Sequence, residues 1–422
     1  MQILWIGKVF SYVQSTLILI ILLSIHFTSF DNVIGYLGSD IVWLVFATYI
    51  ISNAFMKSGL AERFSLLIIR LSKGSGKVLL LMSYVLMLIL AVIIPSNIGR
   101  TSLIASSLDQ LIKRLIYLTK VDNIARGMFV GVAILSGLSG VLVTTGASST
   151  IYTYGLLNKA STIDITYIQW VLFFSLPVLI FVFALWIMTL YMFPVEEIDK
   201  AYLVNYIDTK ISELGKVSRN EINMLIIIGS VVALWVFHDE FGLSISMIGI
   251  LGALLTLLPL IGVWDWGEAK NYVNWEMILF FASTLMLSNI LIDSGLLTSF
   301  ARFLMPLFQD RNIILIVFII VLVVMLLRII FVNVLGFLTI MIPLAIKLSE
   351  QLSLNDPTLF IMAIFLAGVP GFFLVTQSPS HIISYTYNYF TAKDLFKVGT
   401  VLSAVWLIII MFSVFVYWPL LI

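Results

Sequence analysis

Cysteine is absent from the 422 residues. That excludes disulfides, thiolate metal sites and cysteine nucleophiles. Charge is nearly as scarce: Asp, Glu, Lys and Arg make up 11 % of the chain, where a soluble domain carries about 25 %. The two signs almost cancel, leaving +1, so there is no basic field to hold a nucleic acid. There are three histidines and no His/Asp/Glu cluster at metal-ligand spacing. No charged n-region with a small-residue cleavage site opens the chain, so residue 1 is expected in the mature protein. What is present is apolar: 61 % hydrophobic residues and a mean hydropathy of +1.13. These proportions define a polytopic membrane protein.

Apolar stretches at 10–28, 41–57, 168–193, 221–238, 243–262, 275–293 and 398–420 are long enough to span a bilayer. Two more, 127–157 and 357–390, are interrupted by polar runs. Residues 59–73 and 295–311 read as amphipathic helices lying in the interface plane. The one sizeable polar, mixed-charge segment is 194–220. It divides the chain into a first half, 1–193, and a second half, 221–422, with 194–220 as a cytoplasmic linker.

The stretch around which the rest is organised is Ile94–Thr101, IPSNIGRT, between apolar arms at 78–94 and 102–118. Backbone freed from a helix has no water to bond in hydrocarbon, so such a knot must be buried in protein or line a wet cavity. It has a counterpart 236 residues later in Phe331–Gly336, where Asn97 falls on Asn333. The same shift places Thr48 on Thr284, Asn53 on Asn289, and Ser58–Gly59–Leu60 on Ser294–Gly295–Leu296. A shift of 231 then places Gly137 on Gly368, Gly140 on Gly371, Thr145 on Thr376, Ser149 on Ser380 and Tyr154 on Tyr385. Matches in one order at near-constant offset indicate an internal duplication.

Each knot is either a turn between two full spans or the tip of a re-entrant hairpin. The uncharged tip of the second knot favours hairpins, at 78–118 and 313–350. With both re-entrant, nine spans remain, and 17 Lys and Arg residues, from Lys8 to Lys397, fall on the amino-terminal side against 4 on the other. The positive-inside rule then puts the amino terminus in the cytoplasm and the carboxyl terminus outside, in the inner (plasma) membrane. It also makes the two halves inverted. The expected fold is an all-α polytopic membrane protein of two inverted repeats. Each has a re-entrant hairpin and a broken transmembrane helix, at 127–157 in the first half and 357–390 in the second.

These residues resemble the divalent anion–sodium symporters, carriers of dicarboxylates, citrate or sulfate within the superfamily that includes the arsenite permeases. The resemblance covers nearly the whole chain after residue 30. It is strongest in Ile250–Leu296, with its WDWGEAKNYVNWEMILFFAS, and in Gln377–Gly399, which ends in YNYFTAKDLFKVG. It implies a homodimer, an elevator-type motion, and Ser-Asn-Thr hairpin tips that bind substrate carboxylate and line sodium sites. Three features depart from that pattern. Ile98 stands where the first tip has threonine, Val332 and Val334 flank Asn333, and both breaks carry serine in place of asparagine.

The resulting substrate-binding set is Ser96, Asn97, Arg100, Asn333, Thr376, Ser378, Pro379 and Ser380. The cation-binding set is Ser96, Asn97, Thr145, Gly146, Ser148, Ser149, Asn333, Thr376 and Ser380, with sodium as the ion. Helix starts at the knots, near Ser148 and at Pro379 direct amide groups and positive helix ends at an anion. Arg100, which costs roughly 2.5–3.5 kcal/mol at mid-membrane, binds the anion, replaces a sodium, or snorkels to water. Arg328 reads as a structural partner, and Asp109 as a residue of the cytoplasmic entrance. His381 is either a proton-coupling group or a packed one.

The function that fits is secondary transport of a small anion, foremost a di- or tricarboxylate, with sodium or protons as coupling ions and no other cofactor. A cation/proton antiporter would want intramembrane carboxylates, which the central stretches lack. An envelope-assembly enzyme would want a large outer loop and an acid–base or metal group.

Overall fold

The computed structural model describes residues 10–117, 120–161, 164–308, 311–352, 354 and 357–421; Lys8 and the last residue of the first expected hairpin, 118, lie outside these. All described regular structure is helical. In chain order the principal helices are α1 (Tyr12–His26), α2 (Asp40–Lys57), α3 (Leu60–Arg70), α4 (Gly76–Ile93), α5 (Asn97–Leu115), α6 (Asp122–Leu138), α7 (Ser148–Ala160), α8 (Tyr167–Met192) and α9 (Lys200–Glu213). The second half contributes α10 (Arg219–Val236), α11 (Ile245–Leu257), α12 (Trp275–Asp293), α13 (Leu296–Leu304), α14 (Ile313–Leu327), α15 (Val334–Gln351), α16 (Thr358–Gly368), α17 (Pro379–Thr386) and α18 (Ala392–Phe412).

Eight helical stretches among the described residues are long and apolar enough to cross a membrane. Their apolar exteriors, such as Leu179, Phe183 and Ile187 on α8 or Leu225 and Ile226 on α10, stay exposed on the protein, as lipid contact requires. Three of the expected spans are shorter than their hydropathy. The stretch 243–262 stops being helical at Leu257 because Leu258 precedes a proline and is driven to extended backbone. Ser11 caps the first span one residue late, and the span at 357–390 is cut after Gly368.

The two breaks begin and end differently from the polar runs that announced them. In the first knot only Ile94, Pro95 and Ser96 are non-helical. Pro95 holds Ile94 in extended backbone and ends α4. Ser96 then accepts the Gly99 amide at 3.1 Å as an N-cap, so Asn97 to Thr101 already belong to α5. In the second knot Asn333 accepts the Gly336 amide at 3.2 Å and starts α15. The interruption before α7 runs from Ser139 to Ala147, and the one before α17 from Val369 to Ser378, so Ser148–Thr150 and Pro379–His381 are helical.

Positions aligned by the 236-residue shift take matching geometries. Gly59 and Gly295 both stand at φ of +86° and +69°, where a side chain would be strained. Each precedes an amphipathic helix, α3 or α13, whose first amide bonds the neighbouring Ser58 or Ser294. Asn53 and Asn289 each donate to the carbonyl four residues back.

Long-range packing exchanges the halves. The helix after the first break, α7, packs on α15, and the helix after the second break, α17, packs on α5 and α6. A second group is formed by α1, α2, α11 and α12, in which α2 lies along α11 and α1 along α12, while α12 also packs on α15 and α2 on α7. Ion pairs gather the basic loops at one end: Arg63 with Glu221, Arg70 with Asp208, Lys57 with Glu268 and Lys113 with Asp109.

Candidate anion site

Four helix starts converge on one cavity of about 210 Å³. Its walls carry Ser96, Asn97 and Ile98 from the first tip, and Val332 to Leu335 from the second. Ser148 and Ser149 come from the start of α7, and Ser378, Pro379 and Ser380 from the start of α17. The amide ends of α5, α7, α15 and α17 therefore meet at one place, and no aspartate or glutamate is among the lining residues. Unpaired amides and helix dipoles of this sense make a site for an anion. The Ser380 hydroxyl is buried without a hydrogen-bond partner, which a ligand oxygen would supply.

Of the residues expected in the site, Ser96, Asn97, Asn333, Ser378, Pro379 and Ser380 line the cavity, as do Ser148 and Ser149. Four do not. Thr376 sits on an exposed turn beside the break. Thr145 is buried away from the cavity, against Thr48 and Pro95. Gly146 and Arg100 lie behind the first tip and are bonded to each other.

Arg100 is 0 % exposed. Its Nη1 donates to the carbonyl of Ile94, just before the tip, and to that of Gly146 in the break, the latter at 2.6 Å. Its Nη2 donates to Asn97 Oδ1 at 2.7 Å, Ser139 Oγ at 3.3 Å and the Ser136 carbonyl at 3.4 Å. The guanidinium is thus caged by oxygens, with no carboxylate among these partners. The break can approach this closely because both crossing residues are glycines. A Cβ on Gly146 would stand 2.5 Å from the Gly140 carbonyl oxygen, and one on Gly140 would stand 2.7 Å from the Ala147 Cβ.

Arg328, 1 % exposed, repeats the device in the second half. It donates to the Phe331 carbonyl before the second tip and to the Gln377 carbonyl in the second break, at 3.2 Å. Gln377 in turn organises that break by accepting the amides of Phe373 at 2.7 Å and Leu374 at 2.9 Å. His381 is packed, with Nδ1 3.1 Å from the Leu374 carbonyl. Asp109 lies off the cavity and bonds Tyr389 and Lys113.

Tyr12, Tyr49, Asn274 and Met277 also line the cavity and have no signal in the sequence pattern. They come from α1, α2 and the start of α12, the group that faces the tips. Only the N-cap character of Asn274 before an apolar run marks it locally.

A polar cavity among broken helices of a multi-pass membrane protein is the arrangement expected of a membrane carrier. The chain belongs to a family of such carriers: the family model described as "Sodium:sulfate symporter transmembrane region" matches residues 1–422. Among curated relatives, it is 24 % identical over 397 residues to the citrate/succinate antiporter of Escherichia coli (strain K12), covering 91 % of this chain and 79 % of that protein. It is 22 % identical over 395 residues to the L-tartrate/succinate antiporter of Shigella sonnei (strain Ss046), covering 90 % and 79 %. The match to YflS of Bacillus subtilis (strain 168), at 24 % over 283 residues, spans 65 % of this chain and 58 % of that protein. Among solved structures, the YdaH transporter of Alcanivorax borkumensis superposes with a TM-score of 0.58 at 12 % identity, over 93 % of this chain and 88 % of that one, which shows the shared fold.

Proposed function

We propose that this protein is a secondary carrier of a small di- or tricarboxylate that runs as an exchanger, with its two buried arginines standing where coupling cations would bind. The observation that carries this is the oxygen cage around Arg100. Asn97 and Gly146, two of the residues expected to hold sodium, already accept hydrogen bonds from the guanidinium, as does the Ile94 carbonyl. A sodium ion prefers oxygen ligands, and a fixed positive charge in the same cage excludes it. Arg328 occupies the related place beside the second tip and break. With the helix ends, the two arginines make the cavity electropositive without a loaded ion, and a dianion is its natural counter-charge. The named antiporters of citrate, succinate and tartrate support the substrate class.

Alternating access follows from the exchanged packing. The tips and breaks form one interlocked bundle, and α1, α2, α11 and α12 form the support it faces. The matched tips, glycines and asparagines support two inverted repeats with re-entrant hairpins. In the positive-inside orientation Tyr12 and Asn274 mark the cytoplasmic ends of α1 and α12. Tips resting at that level describe an inward-facing carrier whose tip-bearing bundle rises, elevator-fashion, against a dimeric support.

The test is counterflow of labelled succinate, citrate and sulfate into proteoliposomes preloaded with succinate, at clamped potential, with and without sodium. The expected result is dicarboxylate exchange that is indifferent to sodium. Steep sodium dependence would return Ser96, Asn97, Thr145, Gly146, Ser148 and Ser149 to an ion site. Absence of all three uptakes would end the carrier reading.

A further inference from the structure

We infer that Tyr12 and Asn274 form a second donor group of the anion site, giving hydrogen bonds to the second carboxylate of a dicarboxylate whose first carboxylate rests on the helix starts. This rests on the carrier reading above and adds to it the residues that select two acidic ends over one.

The argument is one of hydrogen-bond polarity. The Asn333 side chain has a single possible orientation, because its oxygen accepts the Gly336 amide at 3.2 Å. Its nitrogen therefore faces Tyr12 and donates to the phenol oxygen at 3.1 Å. A phenol oxygen that accepts keeps its own hydrogen to give. Tyr12 lines the cavity, so that hydrogen is available to an acceptor there. The ring is held in place for this. It lies 4.3 Å from the Phe280 ring, and the Tyr12 amide donates to Glu276 Oε1 at 3.0 Å.

Asn274 is constrained in the same way. Its oxygen accepts the Met277 amide at 3.0 Å and caps α12. Its nitrogen, with two hydrogens, is left on the cavity wall. Both donors are carried by α1 and the start of α12, which pack on each other and line the same cavity as the helix starts. The cavity thus presents hydrogen-bond donors both at the helix starts and at the α1–α12 end. A ligand with an anionic oxygen at each end engages both, whereas a monocarboxylate leaves one set of donors without an anionic acceptor.

The experiment uses the full chain in proteoliposomes and measures succinate counterflow with competition by succinate and by its monomethyl ester. Tyr12→Phe keeps the ring and removes the hydroxyl. It is expected to raise the KM for succinate about tenfold while leaving inhibition by the monoester unchanged. Asn274→Asp keeps the helix cap but replaces the donor by an anionic oxygen, and is expected to raise the succinate KM at least as much. Unchanged succinate KM in both variants, or equal weakening of diacid and monoester, overturns the assignment. Wild-type protein that exchanges succinate with unshifted variants overturns this inference alone; wild-type protein with no succinate counterflow overturns the carrier reading with it.

Discussion

Arg100 and Gly146 are 46 positions apart and joined by a hydrogen bond of 2.6 Å from guanidinium to carbonyl. That bond ties the first tip to the first broken helix. The bond from Arg328 to the Gln377 carbonyl does the same in the second half. In each half a tethered cation neutralises the exposed carbonyls of a break and fixes a helix start toward the cavity. A free ion would do this reversibly. A guanidinium does it permanently.

Removing one tether should be costly. Arg100→Ala leaves the Ile94 and Gly146 carbonyls buried without donors, and each buried acceptor left unsatisfied costs about 1–3 kcal/mol. The expected outcome is a marked drop in the melting temperature of the purified protein together with loss of exchange. Retained exchange with unchanged melting would remove Arg100 from its structural role.

The glycine crossing is testable apart from charge. Gly146→Ala puts a Cβ 2.5 Å from the Gly140 carbonyl oxygen, a backbone atom that cannot swing away. We expect exchange to fall by at least an order of magnitude at near-wild-type membrane expression. Gly229→Ala, where a Cβ meets nothing within 4 Å, serves as the silent control.

At the charged end, Arg63 grips Glu221 through Nε at 2.5 Å and Nη2 at 3.2 Å, and Nη1 also holds the Gly215 carbonyl at 3.2 Å. Glu221→Ala strands a buried guanidinium and should destabilise by about 3–5 kcal/mol, while the Arg63→Met, Glu221→Leu pair should recover most of that. Lys210→Ala, which breaks the ion pair to Glu213 on a solvent-facing helix end, should leave stability nearly unchanged. Thermal melts of the four proteins check the ordering.

The contact between Tyr12 and Asn333 reports on motion. Because the chain has no cysteine, Tyr12→Cys and Asn333→Cys can be introduced without background. If the tip-bearing bundle slides past α1 during transport, a mercury-bridged pair should abolish whatever exchange the unbridged double variant retains at saturating succinate, and removal of the mercury by excess thiol should return it to that level. Full exchange in the bridged protein would show that this contact persists throughout the cycle.

Much of this was legible in the residues. Hydropathy, the proline at position 95 and the paired asparagines marked the helices and the tips, and the repeat offset paired them. These are local properties: helix length follows from apolar run, and helix starts follow from Ser, Asn and Pro chemistry within four residues. Even there, capping reclaimed Asn97 to Thr101 for α5, since Ser96 satisfies the amide that a polar run would have exposed.

What the tertiary structure alone decided is which atoms face the cavity. Arg100 lies one helical turn after the tip, and nothing within that turn says whether it points into the site or behind it. The answer depends on Gly140 and Gly146 bringing the break's carbonyls to the rear of α5, forty and more residues away. Tyr12 and Asn274 became site residues because α1 and α12 pack together against the second tip. Their donors are set by which oxygen of a distant amide is already occupied. Side-chain direction and hydrogen-bond polarity across separate elements are properties of the packed molecule, because they arise from contacts that no local stretch of sequence contains.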